Sequence, residues 1–419
     1  MLFKDLQLTE PVLKALADEG YTQPTPVQVQ SIPVILQERD ILGCAQTGTG
    51  KTAAFAIPLL QLLHAQKTKA GEKQHRLKVL VLTPTRELAI QVSDSFRAYG
   101  KYLPLKHHVI FGGVSQHAQV QTLTKGIDIL VATPGRLIDL MNQRLLSLDQ
   151  IKFFVLDEAD RMLDMGFIHD VKRIIAKLPA QRQTLFFSAT MSPEIQALSS
   201  SLLKHPVKVE ATPPASTVDL IDQSLYYVEK HDKKSLLIDI LADQTIKTAL
   251  VFTRTKHGAD KIAKVLNQAG IRSAAIHGNK SQNARQVALQ DFKTGAIRVM
   301  VATDIAARGI DIDGMSHVFN FELPNTPETY VHRIGRTGRA GATGVAVSFC
   351  DQEEREYLRD IQKLIKRQIP LIADHPYKVP SIVPEKAARP QQNRPARQGA
   401  HQGNNQQGNK RRNFSRQRA

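Results

Sequence analysis

Short apolar runs alternate with helix-like stretches from Met1 to about Pro380. The runs include Val79-Leu80-Val81-Leu82, Ile129-Leu130-Val131, Phe153-Phe154-Val155-Leu156 and Leu185-Phe186-Phe187. Further along come Ala249-Leu250-Val251-Phe252, Val299-Met300-Val301 and Val345-Ala346-Val347. Runs this short and this continuously apolar fit strands covered on both faces. The segments between them fit crossover helices, so the pattern predicts an α/β protein with parallel sheets. One amphipathic stretch, Ala259 to Gln268, meets a helix stop at Ala269-Gly270.

The pattern also repeats. Leu80-Val81-Leu82-Thr83 returns as Leu250-Val251-Phe252-Thr253, and Val131-Ala132-Thr133 returns as Val301-Ala302-Thr303, both 170 positions later. Two matches in order at one offset predict two domains of one plan. Between them His205 to Asp219 contains Pro206, Pro213 and Pro214 among small residues, as a linker does. The expected division is a segment 1–29, a first domain 30–207, a linker 208–219, a second domain 220–380 and a tail 381–419. Two domains with a hinge imply a cleft, and such folds bind ligands at the C-terminal ends of their strands.

The length of 419 residues agrees with two or three domains. No run approaches the ~20 apolar residues of a membrane span. The N-terminal MLFKDLQLTEP lacks the features of a secretory signal. With two cysteines, Cys44 and Cys350, a disulfide framework is excluded and a reduced, cytoplasmic setting is expected. The net charge of +17 leaves nucleic acid or an anionic membrane surface as partners. Glu385 to Ala419 holds nine Lys/Arg against one acid, a local +8. Rich in Gln, Asn, Pro and Gly, this tail has too little apolar surface to fold and is expected to be disordered. It is either a solubilising tail or a polyelectrolyte arm that gains affinity for phosphates by counterion release.

The first half carries candidate chemistry. Ala45-Gln46-Thr47-Gly48-Thr49-Gly50-Lys51-Thr52 fits a phosphate-binding loop with alanine in place of the first glycine. It lies between the apolar run Ile41-Leu42 and a helical stretch, the context that loop needs. Gly48 and Gly50 let backbone N–H groups approach phosphates, Lys51 offsets the charge of the β- and γ-phosphates, and Thr52 is a ligand for Mg²⁺. The bland alternative is a glycine-rich turn without a ligand. Asp157-Glu158-Ala159-Asp160 follows the run Phe153 to Leu156. Carboxylates at the end of a buried strand are costly unless a cation compensates. Asp157 is therefore a candidate for holding Mg²⁺ through its hydration shell, and Glu158 for activating a water; a solvated acidic turn is the alternative. Ahead of the loop stands Gln28 in Gly20-Tyr21…Pro24-Thr25-Pro26-Val27-Gln28. A glutamine amide can bond adenine N6 and N7 together, with Phe3 and Tyr21 to pack beside it. A helix-capping turn explains the same residues equally well.

In the second half, His332-Arg333-Ile334-Gly335-Arg336-Thr337-Gly338-Arg339 spaces arginines by three. On a helix they would share a face and repel unless anions offset them. The alternative is a basic surface stripe. No Cys/His cluster among the fourteen histidines has zinc spacing.

Taken in order, GYTQPTPVQ, AQTGTGKT, PTRELA at 84–89, Gly112-Gly113, TPGR at 133–136, DEAD at 157–160 and SAT at 188–190 resemble the motif series of DEAD-box RNA helicases. VFTRT at 251–255, Gln282 and Arg285, ATDIAARGID at 302–311 and HRIGRTGR at 332–339 continue it. The likeness covers about residues 1 to 375. The stretches LGCAQTGTGKTAAFAIPLLQLL and VFTRTKHGADKIA are similar to the bacterial RhlE-type branch. The resemblance implies two tandem RecA-like domains that use ATP and Mg²⁺. It implies that Arg336 and Arg339 reach the γ-phosphate as arginine fingers and that Asp311 contacts the ribose. It also implies that His332 couples nucleotide state to Asp160, Ser188 and Thr190, though strand-end capping accounts for Ser188 and Thr190 as well. Arg86, Gly113, Thr133, Arg136, Arg254, Gly278 and Thr303 match positions that bind the RNA backbone. Sugar-phosphate contacts carry little sequence information, and the absence of Trp agrees, since stacking platforms need aromatic rings.

The expected function is ATP-dependent unwinding or remodelling of short RNA duplexes and RNA–protein complexes by a monomeric core. Ribosomal precursors or RNA-degradation machinery are the expected settings. A nucleotide-gated RNA clamp or annealing chaperone is the alternative, and a DNA helicase on the same core a further one. No basic amphipathic helix points to a membrane partner.

Overall fold

A computed structural model describes residues 1–45, 48–71, 75–210, 221–307, 315–338 and 344–377. The chain divides into units 1–379 and 380–419, and the second, with its basic tail, lies outside the described residues. In the first unit every expected run forms a strand. The strands of the first half are β1 (Ile41–Cys44), β2 (Val79–Leu82), β3 (His107–Ile110), β4 (Ile129–Ala132), β5 (Phe153–Leu156), β6 (Gln183–Ser188) and β7 (Val207–Glu210). Those of the second half are β8 (Ile221–Tyr227), β9 (Ala249–Thr253), β10 (Ser273–Ile276), β11 (Val299–Thr303), β12 (His317–Asn320) and β13 (Gly344–Cys350). They build two parallel sheets, ordered β3-β4-β2-β5-β6-β1-β7 and β10-β11-β9-β12-β13-β8.

The repeat in the sequence is a repeat in register. Val81 pairs with Val131 across β2 and β4, and Val251 pairs with Val301 across β9 and β11. Both partners are shifted by the same 170 positions. Each sheet is covered on both faces because alternate side chains of a strand point opposite ways. Val79, Val81, Ile129, Val131, Phe153 and Val155 enter one core, while Leu80, Leu82, Leu130, Phe154 and Leu156 enter another. Burying each such side chain contributes ~1.5–3 kcal/mol before the entropy of ordering is counted. The second sheet does the same with Val251, Val301 and Phe319 against Leu250, Met300 and Val318. The amphipathic stretch that ends at Gln268 is the helix Lys256–Gln268, and Gly270 after it adopts φ +79°. That left-handed backbone stops a helix cheaply only at glycine.

Two expected boundaries move. Residues 1–29 are not a separate segment: Phe3, Leu6, Val12, Leu16 and Val27 bury themselves in the first core, and the helix Pro26–Leu36 runs across position 29. The first sheet also extends beyond 207, since β7 carries on to Glu210 paired with β1. Lys208 to Glu210 are therefore strand residues; 211–219 lie outside the described residues.

Candidate active site and nucleic-acid interface

Parallel strands release their loops at one edge of the sheet, and strand order sorts those loops. In the first sheet β5, β6 and β1 are neighbours, while β2 and β4 lie on the other side of β5. The loops after β1, β5 and β6 thus gather at one place, and those after β2 and β4 at another.

At the first place, the phosphate loop enters the helix Lys51–Ala70. Gly48 and Gly50 adopt φ of +86° and +88°. A Cβ at Gly50 would also come within 2.5 Å of Gln28 Nε2 and push that amide aside, while the backbone conformation itself favours glycine. Ala45 is buried and its N–H donates to Ser188 O at 3.1 Å. Its backbone is not left-handed, which is why alanine serves where the motif has glycine. Lys51 Nζ donates to Ala45 O at 2.8 Å. Gln46 and Thr47 lie outside the described residues. Gln28 combines both readings of its segment. Its Oε1 accepts from Thr25 N at 2.9 Å as the helix cap, and its Nε2 donates to Gly50 O at 3.1 Å. Thr25 Oγ1 adds a bond to Thr49 O at 2.9 Å. Tyr21 is half-exposed, stacked on buried Phe3 at 6.3 Å and held by Tyr99 through a 3.1 Å hydroxyl contact. Tyr21, Gln28, Lys51, Thr52, Asp157 and Glu158 border a cavity of about 570 Å³.

The acidic strand end is strained and buried. Asp157 is 2% exposed, and its Oδ1 has no hydrogen-bond partner. Burial pushes its carboxyl up to about 6, against the opposing pull of Lys51. Glu158 has φ +54°, uncommon for a side chain larger than glycine. It caps the short helix Ala159–Asp164, and its Oε2 accepts from Arg161 Nη1 at 2.8 Å. Asp160 faces β6: its Oδ2 accepts from Ala189 N at 3.2 Å and Thr190 N at 3.0 Å, and its own N–H donates to Ser188 Oγ at 3.3 Å. Ser188 Oγ donates in turn to Thr190 O at 2.7 Å. The structure thus brings together Asp160, Ser188 and Thr190.

The arginine series departs from expectation. The helix Pro327–Ile334 ends before Gly335, so Arg336 sits in the turn that follows and does not share a helical face with Arg333. Arg333 is buried in its own half. Its Nε and Nη2 donate to Asp304 at 2.6 and 2.8 Å, and its Nη1 donates to Asn320 Oδ1 at 3.2 Å and Glu322 O at 2.6 Å. Phe252 lies under the guanidinium at 4.9 Å. His332 and Arg336 border a cavity of about 20 Å³ together with Arg161 of the first half. Asp311 and Arg339 lie outside the described residues.

At the second place, Arg86, Thr133, Arg136 and Gly278 border a groove of about 460 Å³, joined by exposed Ile305 two residues after Thr303. Gly113 lies against the Arg86 guanidinium, and its φ of +80° is a backbone that favours glycine. Arg136 is braced by Gln119 Oε1 at 3.1 Å and Val114 O at 2.9 Å. Arg254 is placed apart from this groove. Its Nη2 lies 3.4 Å from buried Glu354, over the ring of Tyr357, and its N–H donates to Glu322 at 2.7 Å.

Three side-chain contacts bring in residues whose roles the motifs did not give, and of them only Glu158–Arg161 has a spacing, i,i+3, that is visible in the sequence. Arg285 Nη2 pairs with Glu87 Oε2 at 2.8 Å, and Gln282 Nε2 donates to Glu87 Oε1 at 3.1 Å, joining second half to first. The third is Arg161 on Glu158. Among the described residues no group of three or more His, Cys, Asp or Glu is placed to hold a metal, and no helix is long and apolar enough to cross a membrane.

Two parallel sheets of one plan, with a phosphate loop on the first, define a tandem RecA-like protein. The DEAD/DEAH box helicase model matches residues 25–198, and the helicase conserved C-terminal domain matches 232–341. The DEAD-box ATP-dependent RNA helicase CshA of Geobacillus kaustophilus is 44% identical over 369 residues, 88% of this chain and 77% of that protein. Dbp5 of S. cerevisiae bound to RNA and ADP BeF3 aligns at a TM-score of 0.78 with 31% identity, covering 88% of this chain and 95% of that one. A DEAD box protein of Methanococcus jannaschii is 38% identical but aligns at 0.53, over 89% and 99% of the two chains. The chain belongs to the DEAD-box RNA helicase family.

Proposed function

We propose that this protein is an ATP-dependent RNA helicase that couples RNA-stimulated ATP hydrolysis to local opening of short duplexes and remodelling of RNA–protein complexes. One observation carries the reading: the cavity at Lys51, Asp157 and Glu158 and the groove at Arg86, Thr133, Arg136 and Gly278 share one molecule whose halves meet through Glu87 and Arg285.

Gln28 and Tyr21 stand where adenine is selected. Backbone N–H groups of the 45–52 loop and the nitrogen of Lys51 hold the phosphates. The hard oxygens of Thr52 and Asp157, the latter with an unpartnered buried Oδ1, suit Mg²⁺. That ion, when bound, neutralises charge on the phosphates. Glu158 orients the attacking water and draws its proton. Arg336, with Arg339 beyond the described residues, brings positive charge to the γ-phosphate, and Asp311 meets the ribose. A cation that arrives from the other half makes hydrolysis conditional on closure. His332, which shares a small cavity with Arg161, is the proposed link between nucleotide state and the Asp160–Ser188–Thr190 network. Arg86, Gly113, Thr133, Arg136, Gly278 and Thr303, with Arg254 once released from its acidic partners, hold the RNA backbone. They read phosphate and 2′-OH and leave sequence unread. A strand bent in this groove no longer fits a duplex, so its partner strand is released; hydrolysis then reopens the clamp.

Two free cysteines fit a cytoplasmic setting. Ribosomal precursors or RNA-degradation machinery are the proposed contexts, with a core that works as a monomer. The stretches around the phosphate loop and at 251–263 favour the RhlE-type branch, whereas the Geobacillus relative carries the name CshA. The test is ATP turnover and strand displacement with RNA and with DNA. RNA should stimulate both, and Glu158→Gln should retain RNA in the presence of ATP with little turnover. Turnover at the parent rate in that variant, or stimulation by DNA in place of RNA, overturns the reading.

A further inference from the structure

Glu158 needs a fixed carboxylate to align a water, and its backbone does not supply one. Its left-handed φ of +54° sets the backbone, but a backbone torsion does not by itself choose the rotamer of the carboxylate. Arg161, one helical turn on, closes that freedom with the 2.8 Å bond from Nη1 to Oε2. The side chains are 5% and 3% exposed, unlike the i,i+3 pairs of this protein that face solvent, such as Arg97–Asp94 at 70% and 52%. Exposed pairs of that spacing contribute little, whereas a buried pair holds its geometry. Arg161 also borders the small cavity at the seam, across from Asp304, His332 and Arg336 of the second half. It therefore touches the water-activating carboxylate on one side and the arriving second half on the other.

We propose that Arg161 is a positioning residue for Glu158: its guanidinium sets the carboxylate for the attacking water and keeps that setting under the control of domain closure. The proposal rests on the role given to Glu158 above. It predicts an effect on the chemical step and little on binding, because Arg161 is not among the residues around the nucleotide cavity.

The experiment is a double-mutant cycle on the full chain with saturating RNA. Arg161→Gln should lower kcat by about 10- to 100-fold, the scale of a misplaced catalytic group. The KM for ATP should move by less than about threefold. Arg161→Lys keeps the charge without the planar fork and should recover part of the loss. In a Glu158→Gln background the Arg161→Gln change should lower the residual rate by less than about twofold, since its target is already gone. ATP-dependent RNA retention by the Glu158→Gln protein should survive the added change. Equal losses in both backgrounds, or a raised KM with kcat intact, overturn the proposal. If Arg161→Gln melts early, the cycle is read with Arg161→Lys, and a Lys variant at full kcat also overturns it. Failure of the underlying reading looks different: Glu158→Gln alone then turns over at the parent rate.

Discussion

Two buried charge clusters sit at equivalent edges of the two sheets and have opposite characters. In the second half, Arg333 donates to Asp304 through two nitrogens, to Asn320 and to the Glu322 carbonyl, over an aromatic ring. In the first half, Asp157 keeps an unpartnered oxygen, Glu158 a strained backbone, and Asp157 a carboxyl raised to about 6 by burial. A satisfied network stabilises the fold, while an unsatisfied one is held in readiness for a ligand at a cost in stability. The same motif vocabulary of arginines and aspartates thus forms a satisfied network in one half and leaves an unpartnered carboxylate oxygen in the other.

The comparison breaks most visibly at Arg333. Arg333→Ala leaves Asp304 and Asn320 without their partner and should destabilise the protein by ~3–5 kcal/mol, read as a lower midpoint in chemical denaturation. Arg333→Lys should recover only a minor part, because a lysine cannot span both oxygens and the carbonyl. Glu158→Gln should do the reverse: turnover with RNA should fall by roughly 10²-fold or more while stability changes by less than about 1 kcal/mol. Loss of stability in both, or of turnover alone in both, would erase the distinction between the clusters.

A smaller effect is expected where the halves touch. Arg285→Ala removes the 2.8 Å pair with Glu87, at 10% and 3% exposure. ATP-dependent RNA affinity should drop by roughly tenfold, the scale of a coupling of ~1–3 kcal/mol, with RNA-free turnover unchanged. Titration of labelled RNA with and without ATP checks this. The smallest effect concerns the tail. Removing Glu385 to Ala419 takes away nine cations. RNA affinity should weaken by a few-fold at moderate salt, and the plot of log affinity against log salt should flatten by ~0.7 for each phosphate that is no longer neutralised. Turnover at saturating RNA should stay within about twofold. An unchanged slope would make the tail a solubiliser.

Much of this was legible in the chain. Continuous apolar runs announced buried parallel strands because only a strand covered on both faces lacks a polar side, and every run became one. Edge strands β3, β7, β8 and β10 and the internal β12 are not among those runs, since His107-His108, Val207-Lys208-Val209-Glu210, Ile221-Asp222-Gln223-Ser224, Ser273-Ala274-Ala275 and His317 break or weaken the apolar signal. The phosphate loop and the acidic strand end were readable because their glycines and carboxylates are local requirements. Spacing by three suggests that Arg333 is one of a row on a helical face, but the helix ends before Gly335 and holds only that one member.

What the sequence determined by itself was local: strand period, turn glycines, the residue types that phosphate and RNA chemistry require, and a repeat strict enough to keep its register. What tertiary structure decided was which of these meet. Strand order β4-β2-β5-β6-β1 parts the loops at β5, sending Lys51, Asp157 and Ser188 one way and Arg86 and Thr133 the other. The pairing of Glu87 with Arg285 spans 198 positions, and that of Arg333 with Asp304 spans 29. A charge in a sequence has no partner until burial removes water as the alternative, so only the folded chain could separate Arg333, locked onto Asp304 within its own half, from Arg336 in the turn that follows.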